Sequence, residues 1–341
     1  MEQTNLQPIR RHKSVSYAKY GYIFSIPFVV AFLIFALYPV LYTITIGFTD
    51  LKGIGKLSFK ILPDLFGNFK KIFANPSFKK SLFNTALIWI INFIPQLGLA
   101  LLLAAWFTNS RLKTRGQGVF KVLIYMPNII TSVTIAILFS VLFGYPKGPV
   151  NDILMGLGIR GEPVYFLQSA TASRLIIAFI QFWMWYGNTM LILIGGVMGI
   201  NPALFEAAEM DGASATQIFF KVTLPSLKTI ILYILVTSLI GGMIMFEIPF
   251  LFNLGRPDDS TLTVSMFIFN QAFAGSYMFN RAAAASMIVF VIIGILSAIL
   301  FYILRDKDEI KRLKEKKAII KAAKAASRAA QRKAAAAGGA K

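Results

Sequence analysis

Six long apolar stretches dominate this sequence and limit the folds that it can adopt. They cover residues 21–48, 83–107, 122–143, 174–199, 229–252 and 282–304. A helix of about 20 residues crosses the hydrocarbon core of a bilayer, and each stretch reaches that length. Inside a bilayer every backbone polar group needs a partner in the protein, and a helix supplies it within its own segment. We therefore expect an all-α integral membrane protein with six spans.

The first stretch is interpreted as a span and not as a secretory signal. Residues 21–48 are longer than the apolar part of a signal peptide, and no small-residue cleavage motif follows them. Pro27 and Pro39 should bend this span, since proline lacks the N–H that continues a helix. The predicted domains are a cytoplasmic leader (1–20), a six-span core (21–304) and a basic cytoplasmic tail (305–341).

The distribution of charge bears on the orientation in the membrane. Six spans place both termini on one side, and 23 of the 35 Lys and Arg residues would lie on that side. Cytoplasmic segments carry the excess of basic residues, so both termini are expected in the cytoplasm. Thirteen of the 23 lie after Leu304, and without them the count is 10 against 12. The predicted orientation therefore depends on the tail.

The tail after Leu304 is expected to be a solvated extension that anionic lipid headgroups attract. A role in binding a protein partner is the alternative. Nucleic acid is not expected as a partner, because the tail has no aromatic residues between its basic ones on which bases could stack.

Several kinds of chemistry are excluded by residue content. The chain has no cysteine, and its one histidine, His12, lies in the leader, so thiol, Ser-His and metal sites are not expected. No glycine-rich loop ends in Gly-Lys-Ser/Thr, which rules out nucleotide hydrolysis by that mechanism. We therefore expect no catalytic residue and no cofactor or metal in this chain, and an energy source elsewhere.

A polar-flanked segment, residues 201–227, interrupts the apolar pattern between the fourth and fifth spans. Asn201 followed by Pro202 is typical of a helix start, an N-cap with proline at the first helical position. Gly212 permits a sharp corner. A second helical run is predicted from Ser214 and should stop before Leu224-Pro225, because proline clashes with a continuing helix.

The spacing within this segment resembles the EAA loop of binding-protein-dependent ABC importer permeases, with Val222 where isoleucine is usual. In that family the loop is cytoplasmic, and its first helix, the coupling helix, seats in a groove of the ATPase subunit. An amphipathic helix on the membrane surface is the alternative. The residues that the resemblance assigns to ATPase coupling are Glu206, Ala207, Ala208, Asp211, Gly212, Leu224 and Pro225.

The resemblance extends over nearly all of residues 20–305. Tyr38-Pro39, Asn68-Phe69-Lys70 and Asn84-Thr85 look like the corresponding parts of carbohydrate-type permeases. The chain is similar to the larger partner class of the maltose and glycerol-phosphate importers. The fold that this implies is the six-helix transmembrane domain of a type I ABC importer with a cytoplasmic coupling helix.

The resemblance also implies partners and a location. A second homologous permease subunit would complete a heterodimer, and two separate ATPase subunits would bind ATP and Mg²⁺. An extracytoplasmic solute-binding protein would dock on residues 49–82, 144–173 and 253–281. The expected location is the bacterial plasma membrane, with membrane lipid as a further partner.

The fourth span carries residue types that hold sugars. Trp183 and Tyr186 offer aromatic faces for the C–H faces of a sugar, and Gln181 and Asn188 offer amides for its hydroxyl groups. The alternative is an aromatic belt at the membrane interface. In the maltose-type family the sugar contacts the helix before the EAA loop, which corresponds here to the region of Tyr186 and Asn188.

The family's second sugar-contacting region is the helix after the EAA loop, where this chain has Phe246 and Glu247 instead of an amide-rich patch. An acid inside a span indicates a functional site by default. The alternative is that Pro249 ends the span early and Glu247 lies near the headgroups. Pro249 should also leave the carbonyl of Met245 without its helical partner.

Two function classes are thus compared. The first is an importer permease that moves a sugar, with an oligosaccharide preferred over a monosaccharide or glycerol phosphate. The EAA-like loop and the aromatic residues of the fourth span agree with this function. An ion-coupled secondary transporter is the alternative, and it would need inverted repeats and coupling acids within the spans. The sequence shows neither feature.

Overall fold

The computed structural model describes residues 18–55, 58–109, 115–275, 277–305, 315–323 and 325. Within these ranges the regular structure is helical, and the single β-type contact is an isolated bridge between Thr49 and Ile61. Residues 1–17 of the predicted leader and most of the predicted tail lie outside the described residues. The all-α prediction is confirmed.

The helices follow one another with short connections. In chain order they are α1 (Ala18–Phe32), α2 (Tyr38–Gly47), α3 (Gly67–Ala74), α4 (Pro76–Thr108), α5 (Gln117–Ile129), α6 (Ser132–Leu142), α7 (Pro149–Gly156), α8 (Ala170–Met198), α9 (Pro202–Met210), α10 (Ala215–Ile218), α11 (Leu224–Ser226), α12 (Lys228–Met243), α13 (Glu247–Asn253), α14 (Val264–Phe273) and α15 (Phe279–Leu304). Two π-helical segments, Leu33–Leu37 and Phe219–Thr223, and a 3₁₀ turn, Phe166–Gln168, complete the set.

The membrane-spanning helices agree with the apolar pattern. Four continuous helices in the described residues are long and apolar enough to cross a bilayer: Lys19–Gly47, Pro76–Thr108, Ala170–Met198 and Phe279–Leu304. Two sharply bent pairs raise the number to six if each pair counts as one span. The first of these bends lies within the third predicted span. The second lies just before the fifth predicted span, which is itself interrupted between α12 and α13.

The third span bends by 88° between α5 and α6. Ile130 ends the first segment in extended backbone. Thr131 caps the next segment, its side chain accepting a hydrogen bond from the backbone N–H of Thr134. Asn128 donates a hydrogen bond of 3.2 Å to the carbonyl of Met184, which ties the bend to α8. The break is thus made by local capping and by tertiary contacts.

The fifth span breaks between α12 and α13. The break precedes Glu247, and Pro249 lies in the first turn of α13, where a missing N–H costs no helical hydrogen bond. Pro249 therefore begins a helix and does not end the span. The carbonyl of Met245 accepts a hydrogen bond of 2.9 Å from the Thr263 hydroxyl.

Both π-helical segments end two residues before a proline, Pro39 in the first case and Pro225 in the second. Proline removes one backbone hydrogen bond, and its ring clashes with the carbonyl four residues earlier. The wider π turn relieves that clash and lets the helix continue. Lys19–Gly47 accordingly forms one helical span across Pro39.

The centre of the fold is the contact between α4 and α8, which pack along their lengths. Ile88, Ile177 and Ile180 are fully buried in one cluster along this contact. On the other side of α8, Gly187 allows α5 to approach, since a Cβ at Gly187 would lie 2.4 Å from the carbonyl oxygen of Ile124. These contacts position the polar face of α8 described next.

Candidate functional site

The loop that connects α8 to α12 begins with the exposed helix α9. The Asn201 side chain accepts a hydrogen bond of 3.1 Å from the backbone N–H of Ala203, which confirms the predicted cap. Leu204 is 50% exposed and Met210 is 88% exposed. Within the described part of the chain, both side chains are therefore largely uncovered. Exposed apolar side chains on a short surface helix are typical of a docking element.

Gly212 makes the predicted corner after α9. Its φ is +75°, in the left-handed region that glycine adopts without steric cost. The backbone N–H of Gly212 bonds the carbonyl of Glu209, and that of Ala213 bonds the carbonyl of Ala208, both at 3.0 Å. These bonds close the end of α9 as in a glycine C-cap.

The second half of the loop differs from the prediction. Helical backbone does not stop before Leu224-Pro225 but runs from Ala215 through the π segment to Ser226. It then meets α12 at an angle of 65°. The wider π turn accommodates Pro225, so the predicted stop is wrong. Ser214 and Gln217 form a reciprocal capping box at the start of this run.

The residues assigned to coupling lie at two ends of this loop. Glu206 lines a cavity of about 870 Å³ that α9 forms with the last turns of α4 and α8. Ala207, Asp211 and Gly212 are exposed on α9 and its corner, Ala208 is half-buried there, and Leu224 and Pro225 lie at the far end of the second run.

A polar cavity lies within the membrane-spanning part, between α4, α8 and α12, and has a volume of about 250 Å³. Its lining combines amide, hydroxyl and indole groups with a few apolar side chains. The lining residues are Trp89, Asn92, Gln96, Gln181, Trp185, Asn188, Thr189, Ile192, Tyr233, Ile234, Thr237, Ser238, Gly241, Gly242 and Met245.

Hydrogen bonds fix part of this lining. The Gln96 amide donates to the Thr189 hydroxyl at 2.8 Å, and Thr189 in turn donates to the carbonyl of Trp185 at 3.1 Å. The indole N–H of Trp89 donates to the Ser238 hydroxyl at 3.1 Å. Trp89 approaches α12 because residue 242 is glycine, where a Cβ would lie 2.1 Å from the ring.

Two further polar side chains of the cavity form no hydrogen bond within the described part of the chain. Among the described residues, the side-chain amides of Gln181 and Asn188 have no hydrogen-bond partner, and both are half-buried. Partly buried amides without a partner favour a ligand or water that supplies one. The Trp185 ring, 45% exposed, adds a flat apolar face beside them. Such a combination can hold a molecule with both hydroxyl groups and C–H faces.

The cavity includes one of the five predicted substrate residues, Asn188. Trp183 packs instead against Phe139, with ring centroids 5.9 Å apart, in the buried core. Tyr186 stacks on Phe182, with ring centroids 5.5 Å apart. Neither ring lines the cavity.

The two predicted residues of the fifth span also lie outside the cavity lining. Phe246 precedes α13 and stacks on Phe250, with ring centroids 4.9 Å apart. Glu247 is the first residue of α13 and is exposed. The neighbouring residue Met245 does reach the cavity.

Helical spacing is the signal that would have found the cavity-lining side of α8. Gln181, Trp185, Asn188 and Ile192 follow one another at intervals of four, three and four residues, so they share one side of a helix. Asn92 and Gln96 of α4 repeat the interval of four within an apolar run. Residue type alone pointed to Trp183 and Tyr186, which lie on other sides of α8.

The sequence matches a known family over most of its length. The family is described as the binding-protein-dependent transport system inner membrane component, and residues 72–307 match it. Among solved structures, the fold is similar to a chain of a crystal structure titled as a bacterial alginate ABC transporter in complex with an alginate pentasaccharide-bound periplasmic protein. The TM-score is 0.71 at 24% identity, covering 84% of this chain and 94% of that chain.

Curated relatives agree with this match. The lactose transport system permease protein of Rhizobium radiobacter is 30% identical over 309 residues, which cover 90% of this chain and 100% of the relative. The arabinooligosaccharides transport system permease protein of Bacillus subtilis (strain 168) is 30% identical over 280 residues, 82% of this chain and 86% of the relative. The chain therefore belongs to the family of binding-protein-dependent ABC importer permeases.

Proposed function

We propose that this permease moves a sugar, an oligosaccharide in preference to smaller solutes, inward through the cavity between α4, α8 and α12. The observation that carries the proposal is the cavity lining, where free amides lie next to an exposed indole face. Hydroxyl groups of a sugar would satisfy the amides of Gln181 and Asn188, and Trp185 would cover a C–H face. The names of the lactose and arabinooligosaccharide relatives support a saccharide.

A cavity of about 250 Å³ is small for an oligosaccharide. The path would be completed by a second homologous permease subunit in a heterodimer. The first span supports such a partner surface, since its most apolar part has no residue buried within the described chain. Trp183, Tyr186, Phe246 and Glu247 stay predictions for contacts along that completed path.

Energy for transport would come from separate subunits. Two ATPase subunits would bind ATP and Mg²⁺, and this chain would bind no cofactor of its own. The exposed helix α9 would seat in the ATPase, with Glu206, Asp211 and Gly212 at the contact. A solute-binding protein would deliver the sugar at the opposite side of a bacterial plasma membrane, and both termini would lie in the cytoplasm.

Ion coupling is the less favoured mechanism. Among the described residues of the membrane-spanning helices, Glu247 is the only acid, and it lies exposed at a helix start. Ion-coupled carriers need acids or similar groups that face one another within the spans.

Reconstitution with a panel of sugars tests the substrate. The complex of this chain with its ATPase, second permease and binding protein would be placed in vesicles with lactose, arabino-oligosaccharides and glycerol phosphate in turn. We expect ATP hydrolysis to rise with a saccharide-loaded binding protein. Stimulation by glycerol phosphate alone, or by none of the three, would contradict the saccharide proposal.

A further inference from the structure

A row of four phenylalanine rings connects α13 to α14. The rings of Phe246 and Phe250 stack on each other, and Phe269 lies against both, with ring centroids 5.1 and 5.5 Å away. Phe273 continues the row one turn further along α14, 5.4 Å from Phe269. The first three side chains are half-buried, and Phe273 is 59% exposed. Each member of this aromatic row therefore keeps some apolar surface open.

The aromatic row runs outward from the polar cavity. At its inner end, Phe246 directly follows Met245, which lines the cavity. The hydroxyl of Thr263, the N-cap of α14, donates to the Met245 carbonyl, so α14 begins at the same level. Further along α14, the ring of Phe267 lies 5.3 Å from that of Phe78, in the first turn of α4. Since α9 lies at the last turns of α4, the row extends toward the end of the fold opposite α9.

Two polar side chains adjoin the row without a partner in the described ranges of the chain. The Asn270 amide is half-buried, forms no hydrogen bond there, and shares a side of α14 with Phe273 three residues later. Glu247, next to Phe246, has neither an ion-pair nor a hydrogen-bond partner there. Lipid tails or an apolar helix laid on the row would leave both groups unsatisfied, which costs free energy. A ligand that carries hydroxyl groups would satisfy them.

The chemistry of the row and its position both match part of a saccharide chain. Aromatic rings cover the C–H faces of sugar units, and amides and carboxylates bind their hydroxyl groups. The cavity, with a volume of about 250 Å³, is small for an oligosaccharide, so part of a longer chain would have to lie outside it. The row starts at the residue after Met245, where the cavity lining ends, and leads outward from there.

We propose that Phe250, Phe269 and Phe273, with the Asn270 amide beside them, form a second saccharide subsite. It holds the outer units of an oligosaccharide while the leading units occupy the cavity. The proposal rests on the proposed function, which places the sugar in that cavity. A disaccharide can lie in the cavity without using the row, whereas a longer chain contacts both. The row therefore favours oligosaccharides by their length.

The test compares uptake of short and long sugars by the reconstituted complex. Disaccharides and pentasaccharides of arabinose and of galactose would be supplied on the binding protein, and the pentasaccharide-to-disaccharide ratio of initial rates would be measured. We expect Phe273→Ala to lower this ratio about fivefold, because an aromatic contact with the outer units is lost. Phe273→Trp keeps an aromatic face and should retain most of the ratio. The matched control is Phe83→Ala on α4, because Phe83 is 61% exposed, and it should keep the wild-type ratio.

Several outcomes would overturn the subsite. They are a wild-type ratio for Phe273→Ala, an equal loss for short and long sugars, and a wild-type complex that takes up the disaccharides but neither pentasaccharide. Loss of the second permease from the purified Phe273→Ala complex would also overturn it, because the row would then be a subunit contact. Asn270→Ala breaks no hydrogen bond within the described chain and should lower the ratio in the same direction. A wild-type complex that takes up none of these sugars would refute the proposed function itself, which separates the two failures.

Discussion

The Gln96 amide donates a 2.8 Å hydrogen bond to the Thr189 hydroxyl, joining α4 to α8 at the wall of the polar cavity. Both side chains are buried, at 5% and 3% exposure. In a low-dielectric interior such a pair specifies one packing of the two helices, because each group left alone would be unsatisfied. The hydrogen bond that forms part of the cavity wall therefore also fixes the packing of α4 against α8.

Removing this bond should destabilise the protein. Gln96→Ala would leave the Thr189 hydroxyl with only its bond to Trp185 and would open space beside it. We expect a loss of about 1–3 kcal/mol in the free energy of unfolding, measured by denaturation in detergent. Gln168→Ala, at an exposed position, is the control and should be neutral. Equal stability of the two variants would contradict the structural role.

Asn188 lines the cavity, whereas Tyr186 lies on another side of α8. Variants of these two residues therefore test which side of the helix the sugar contacts. Asn188→Ala would remove the hydrogen bond that we propose between the Asn188 amide and the sugar. A hydrogen bond is worth about 1 kcal/mol, which is about a fivefold change in an equilibrium constant. We therefore expect sugar uptake at saturating binding protein to be about fivefold slower. Tyr186→Phe should slow uptake less than Asn188→Ala, because Tyr186 does not line the cavity and would contact the sugar only along the path that the second permease completes. The reverse pattern would place the sugar on the side predicted from residue types.

Substitution of Gly212 tests the coupling loop without creating a steric clash with other residues. A Cβ at this position would meet nothing within 4 Å, so a substitution acts only through its φ of +75°. Gly212→Val should strain the corner by about 1–2 kcal/mol and separate ATP hydrolysis from uptake. Gly212→Asn, which tolerates this backbone, should restore most uptake. Normal uptake by the valine variant would argue against a role for the corner in coupling.

Gly187 tests the packing between α5 and α8. A methyl group at Gly187 would collide with the backbone of Ile124, and side-chain rearrangement cannot relieve a clash with backbone. We expect Gly187→Ala to lower the free energy of unfolding by about 1–3 kcal/mol. Gly195→Ala in the same helix meets no neighbour within 4 Å and should be neutral or slightly stabilising. Thermal denaturation of both variants checks the difference.

Local signals in the sequence were sufficient where the structure depends on local physics. Apolar length predicted the spans, Asn201 predicted the start of α9, and Gly212 predicted its end. Each depends on backbone hydrogen bonding or φ within a few residues, which the residue types themselves determine.

Breaks and side-chain directions were not predictable in the same way. The bend at Thr131 and the break before Glu247 lie within apolar runs and are stabilised by contacts with distant residues such as Met184 and Thr263. Tyr186 and Asn188 are two positions apart, roughly 200° around a helix, so one cavity cannot readily include both. The side that faces the cavity is set by how α4 and α12 pack on α8.

The most direct test of the central claim is the energy source for uptake. Vesicles containing the purified complex would be loaded with ATP and Mg²⁺, supplied with labelled oligosaccharide on its binding protein, and treated with ionophores that collapse ion gradients. We predict uptake that requires ATP and continues after the gradients collapse. Uptake that persists without ATP and stops with the ionophores would contradict an ATP-driven importer permease.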